Sequence, residues 1–103
     1  MITSKVTATT TATDLKTLLE TAGYTFPTSG NDKCSGVVLQ LDPDETDNSV
    51  MILSVGATEG PSLINDVTFA QPSTIALPTD KVSRIYLKAS AGTPAVYVVV
   101  EHD

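Results

Sequence analysis

The sequence predicts a mainly β domain, a small β-sandwich or barrel of about five to seven strands with one short α-helix near the N-terminus. Three observations lead there. Four apolar runs, VVLQL, VMILSV, RIYLKA and AVYVVV, contain no proline, and the segments between them hold the Gly, Pro, Asn and Asp that reverse a chain. Sixteen threonines outnumber every other residue type, and Thr favours strands over helix interiors. Only one stretch carries a helical period, the leucines at 15, 18 and 19.

Residues 2–12 read as an extended Thr-rich segment, an edge strand or an arm, in which Ser4, Val6, Ala8, Thr10 and Ala12 alternate with Lys5, Thr7, Thr9 and Thr11. The remainder, 13–103, reads as a single β-rich domain with a helix over 14–22. Thr13 is the expected N-cap, Asp14 sits at the positive helix end, Leu15, Leu18 and Leu19 form the buried stripe, and Gly23 is the stop. So short a helix is marginal alone and needs the sheet beneath it.

A polar loop, TSGNDK, precedes a strand over 35–42 whose Val37, Leu39 and Leu41 share one face and whose Val38, Gln40 and Asp42 share the other. After the acidic reversal at 42–48, residues 49–56 return as a second strand that is apolar on both faces and therefore central, which predicts a hairpin. Prolines and glycines break 57–78 into short pieces at 62–64, 67–69 and 74–77, enough for two short strands. A second hairpin is predicted over the last twenty residues, VSRIYLKA and AVYVVVE joined by SAGTP. In its first strand Ser83, Ile85, Leu87 and Ala89 face one way and Val82, Arg84, Tyr86 and Lys88 the other. In its second, Tyr97 and Val99 oppose Val96, Val98 and Val100, so apolar atoms lie on both sides and a double cover is expected.

At 103 residues there is room for one core, and a domain of that size buries roughly two thirds of its unfolded surface. The formal charge of -6, with six Lys and Arg in all, argues against a nucleic-acid partner. A single cysteine, Cys34, excludes an intrachain disulfide and reads as a small buried hydrophobe. No stretch resembles a signal peptide or reaches the ~18 apolar residues of a membrane span, so a soluble chain with no membrane partner is expected.

Chemistry is sparse. The loop DPDETDN gathers Asp42, Asp44, Glu45 and Asp47, but against the calcium-loop template Thr46 takes the fifth position, Asp47 the glycine and Leu53 the bidentate Glu. A solvated turn is the expectation, and no metal or cofactor is assigned. His102 is the only histidine and sits at the chain end, and no Gly-x-Ser-x-Gly or phosphate-binding loop occurs, so no catalytic residue is expected and the chain is not read as an enzyme. Tyr and Arg are enriched at protein interfaces, which makes Arg84, Tyr86 and Lys88, with Tyr97 and Val99 on the following strand, the candidate contacts between copies of the chain.

The order of VTATTTATDLKTLLETAG, then GVVLQLDP, then SRIYLKASAGTPAVYVVVE resembles small structural proteins encoded among the virion genes of tailed bacteriophages. The likeness spans nearly the whole chain and rests on residue types. It implies a non-enzymatic virion component made in the host cytoplasm: a capsid decoration (cement) protein, often a homotrimer, with the major capsid protein as its partner. The alternative is a receptor- or carbohydrate-binding module, as a head fibre or tail-associated subunit. On the first reading the Thr-rich start would contact the capsid through Val6, Thr9, Thr10 and Thr11. The chain departs from fibres in lacking a glycine-rich or repetitive shaft, and it has no basic arm for packaged DNA.

Overall fold

A computed structural model of the chain describes residues 2–26, 33–45, 47–54, 60, 62–63 and 74–101. Strong alternation turns one face of each long strand inward, and two such faces bury each other. Strands β1 (Ile2–Thr7), β3 (Gly36–Leu41), β6 (Thr74–Leu77) and β8 (Ala95–Glu101) form one antiparallel sheet in the order β1-β8-β3-β6. Strands β2 (Thr13–Asp14), β4 (Val50–Ser54), β5 (Ser62–Leu63) and β7 (Ile85–Ala89) form the other, in the order β2-β7-β4-β5. The expected small sandwich is therefore present. It has eight strands among the described residues, two of them only two residues long, so short that periodicity leaves no mark on them.

The pairing has a simple rule: β1 with β8, β2 with β7, β3 with β6 and β4 with β5, closed by β3–β8 and β4–β7. That is the order of a jelly roll, one long antiparallel ribbon wrapped into two sheets. It corrects both predicted hairpins. Strands β3 and β4 lie in opposite sheets, and so do β7 and β8; of the chain-adjacent pairs, only β4 and β5 are hydrogen-bonded neighbours.

The connections 42–49 and 90–94 are arches between the sheets, lying side by side. The Ser90 N–H donates to the Ser49 carbonyl at 2.9 Å, the Ser49 N–H donates to the Ser90 hydroxyl at 3.0 Å, and the Asp42 N–H donates to the Ala95 carbonyl at 3.0 Å. Gly92 has φ +62, and a Cβ there would stand 3.0 Å from the Asn48 amide, so turn geometry and close approach both call for glycine. Residues 8–12 make a third arch at the same end, where the Ala8 N–H bonds Pro94 O at 2.9 Å and the Ala89 N–H bonds Thr9 O at 2.7 Å.

Between the sheets lie Val37, Leu39, Leu41, Val96, Val98 and Val100 from one side and Val50, Ile52, Leu63, Leu87 and Ala89 from the other. Strand β8 is internal, as expected, but its burial alternates: Val96, Val98 and Val100 are fully buried, Val99 is half-buried and Tyr97 is exposed. The expected second cover is not supplied by the described chain. Val82, expected to face outward beside Arg84, is fully buried, because Val82–Arg84 is a 3-10 turn that rotates it inward before β7 begins.

Helix α1 (Leu15–Thr21) closes the side of the sandwich between β1 and β2, burying Leu15, Leu18 and Leu19. Its N-cap is Asp14 rather than Thr13. Asp14 is extended and its carboxylate accepts from the Thr17 N–H at 3.0 Å and the Thr17 hydroxyl at 2.8 Å, while Thr13 pairs with Leu87 in β2. The end is a Schellman motif: Tyr24 N–H to Leu19 O at 3.0 Å, Gly23 N–H to Glu20 O at 3.1 Å, and Gly23 at φ +104. Asp14→Ala is expected to lower stability by about 1 kcal/mol, with Asp14→Asn retaining most of it. A urea midpoint unchanged by Asp14→Ala would rule the cap out.

Candidate functional site

Register decides which residues share each outer face, because residues directly opposite in a ladder point the same way. On the β2-β7-β4-β5 sheet, Tyr86 stands between Asp14 and Leu53, and Lys88 stands beside Met51. Arg84 precedes this face on the 3-10 turn, where its Nε lies 3.3 Å from the Asp80 carboxylate in an exposed ion pair. Such a pair is worth at most about 1 kcal/mol.

The outer face of the β1-β8-β3-β6 sheet carries two complete rows. One is Thr3, Val99, Val38 and Ala76; the next is Lys5, Tyr97, Gln40 and Thr74. Tyr97, 38% exposed, is the exposed large hydrophobic residue among those described. The Lys5 ammonium lies 5.5 Å from the centre of its ring and 3.7 Å from the Asp42 carboxylate. One row beyond Val99, Glu101 pairs with Gly36, and there the surface sinks into a depression of about 210 Å³ lined by Gly36, Val38, Ala76, Pro78 and Glu101.

The five residues expected to form one contact surface are thus divided. Tyr86 and Lys88 belong to one outer face, with Arg84 on the turn that leads into it, and Tyr97 and Val99 to the opposite one. A hairpin would have kept them in a single sheet; the arch at 90–94 separates them.

The expected capsid contacts divide as well. Val6 is 1% exposed and sits in the core with Ala8, so it cannot contact a partner. Strand β1 is the edge strand foreseen as one alternative for the Thr-rich start, paired with β8 over six residues, and not an arm. Thr10 and Thr11 are exposed and Thr9 is half-buried, its hydroxyl donating to Thr11 O at 3.1 Å. They share the sandwich end with the 42–49 and 90–94 arches.

In the acidic loop two of the carboxylates serve the turn. Asp42 Oδ1 accepts from the Asp44 N–H at 3.0 Å and Glu45 Oε1 accepts from the Asn48 N–H at 2.7 Å. Among the described residues no three His, Cys, Asp or Glu side chains converge as a metal site would require. Cys34 is buried, with its Sγ 3.5 Å from Thr79 O. His102 and the 67–69 segment lie outside the described residues. An open depression of about 550 Å³ at the opposite end is lined by Ser54, Lys81, Ser83 and Arg84.

Comparison with family models, with curated proteins and with solved structures finds no match to this chain.

Sequence reading overlooked Lys5, Gly36, Ala76 and Glu101 as parts of one surface. The parity of Val38 and Gln40 was visible; the neighbours that extend it into a four-stranded face come from strands far away in the chain.

Proposed function

We propose that this protein is a non-enzymatic structural component of a phage particle, decorating or stabilising the capsid as a homo-oligomer with the major capsid protein as its partner. The observation that carries this reading is the jelly-roll strand order. That architecture recurs in viral capsid domains and in lectins, a likeness of fold and not of a matched site. The resemblance of the sequence to small phage virion proteins points the same way. The end bearing Thr10, Thr11 and the 42–49 and 90–94 arches offers hydroxyl, amide and carboxylate groups for contact with a shell.

The test is direct. Purified protein is added to undecorated shells assembled from the major capsid protein of the same genome and located by electron microscopy. Regular, saturable density on the outer surface is expected, and bare shells at saturating protein would sink the proposal.

A second reading, a receptor- or carbohydrate-binding module, draws on Tyr97 flanked by Lys5, Gln40 and Thr74, an aromatic platform beside hydrogen-bonding groups. Glycan binding by the isolated domain, lost in Tyr97→Ala, would favour it over decoration.

A further inference from the structure

We infer that the outer face of the β1-β8-β3-β6 sheet is the contact surface for a second copy of this chain, packed face to face about a two-fold axis that crosses the strands at the Val99–Val38 row. The inference rests on the self-association assumed in the proposed function and supplies its surface and symmetry.

The argument is self-complementarity, which a two-fold interface demands. Along the strands this face is asymmetric. One row to one side of Val99 stands a projection, Tyr97, with the positive Lys5 over its ring. One row to the other side lies the depression lined by Gly36, Val38, Ala76 and Glu101. Rows on one face are about 6.7 Å apart, so knob and hollow are equally distant from the Val99 row. A two-fold axis passing between Val99 and Val38, tilted about 20° from their row, exchanges Tyr97 on β8 with the Gly36 floor on β3. Each Tyr97 falls over the hollow of the other copy, and each Glu101 carboxylate comes to the Lys5 ammonium of the other.

Gly36 is what keeps the hollow open. A Cβ at that position would point at Leu77 O, 3.3 Å away, with the Glu101 carboxylate at 3.9 Å, and would fill the floor. Close to the axis the half-buried Val99 and Val38 meet their own copies, so the centre is β-branched and the charges lie to either side, an apolar centre with a polar rim. Sheets packed face to face stand about 10 Å apart, within reach of a Lys and a Glu extended toward each other across neighbouring strands.

The opposite face does not offer this. Tyr86 is half-buried there between Asp14 and Leu53, so no ring stands out from that face as Tyr97 does from this one.

The described face measures about 19 Å across four strands and about 20 Å along six residues, roughly 400 Å² per copy and about 800 Å² in all, the size of weak, transient contacts, so the dimer is expected to be weak and concentration-dependent. The test is sedimentation of the full chain over a wide concentration range, with circular dichroism to verify folding of each variant. Wild type is expected to dimerise reversibly. Tyr97→Ala is expected to weaken the dimer about tenfold or more. Lys5→Glu and Glu101→Lys are each expected to weaken it, and the double variant, which restores opposite charges across the axis, to recover most of the loss.

A double variant no tighter than either single one overturns the inference. So does a wild type that stays monomeric throughout, or an oligomer that survives every one of these changes and dissociates with Tyr86→Ala. Shell binding is scored separately. A monomer that still decorates shells overturns the dimer while leaving the capsid reading intact, and a dimer with the predicted charge rescue that ignores shells upholds this inference while the capsid reading fails.

Discussion

Val6→Asp is expected to destabilise the chain by about 4 kcal/mol or more, a large part of its reserve, while Thr10→Asp, four residues along the same Thr-rich segment, changes stability by less than about 0.5 kcal/mol. The contrast follows from placement. Val6 is 1% exposed, opposite Val96 in the β1–β8 ladder and part of the core, whereas Thr10 is exposed on the arch that follows. Burying a carboxyl there loses the valine's own burial, about 1.5–3 kcal/mol, and adds the desolvation of a polar group, for a total of about 4 kcal/mol or more. A domain of this size holds only about 5–15 kcal/mol in reserve. Far-ultraviolet circular dichroism and urea denaturation measure both variants. A folded Val6→Asp with an unchanged midpoint would mean that β1 is a detachable arm after all.

Leu39→Ala is the second large effect, an expected loss of about 2–5 kcal/mol. Leu39 is fully buried, with Val98 opposite it on one side and Ile75 on the other, so the deleted atoms leave a cavity that a packed two-sheet core cannot close. Its chain neighbour Gln40 is exposed on the outer face, and Gln40→Ala should change stability by less than about 0.5 kcal/mol. The measurement is the shift in urea midpoint at constant slope. Similar losses at the two positions would contradict the inward face assigned to β3.

Which residues share a face was legible in the sequence. Val37, Leu39 and Leu41, Ile85, Leu87 and Ala89, and Val96, Val98 and Val100 were each grouped by period, and each group is buried. The helix and its Leu15, Leu18 and Leu19 stripe were legible for the same reason, and the cap moved by one residue because Asp14, not Thr13, has its side chain in reach of the Thr17 N–H. The candidate surface was legible only in part. Tyr97 and Val99 were marked for contact and lie on the outer face, yet Arg84, Tyr86 and Lys88, grouped with them, lie on the opposite side of the molecule.

The sequence by itself determined the β class, which alternate residues of a long strand share a face, the buried stripe of the helix and the placement of the turns. All of these depend on interactions between residues a few positions apart, whose period is written directly in the chain. Only the tertiary structure decided which strands pair. A strand that must bury one face shows the same alternation whether its successor joins it in one sheet or faces it across the core, and arches of five or eight residues serve either route. The partner of β8 is β1, at the far end of the chain, and a contact of that separation leaves no local pattern to read. For the same reason the surface that unites Lys5, Tyr97, Val38 and Ala76 exists only once the ribbon has rolled up.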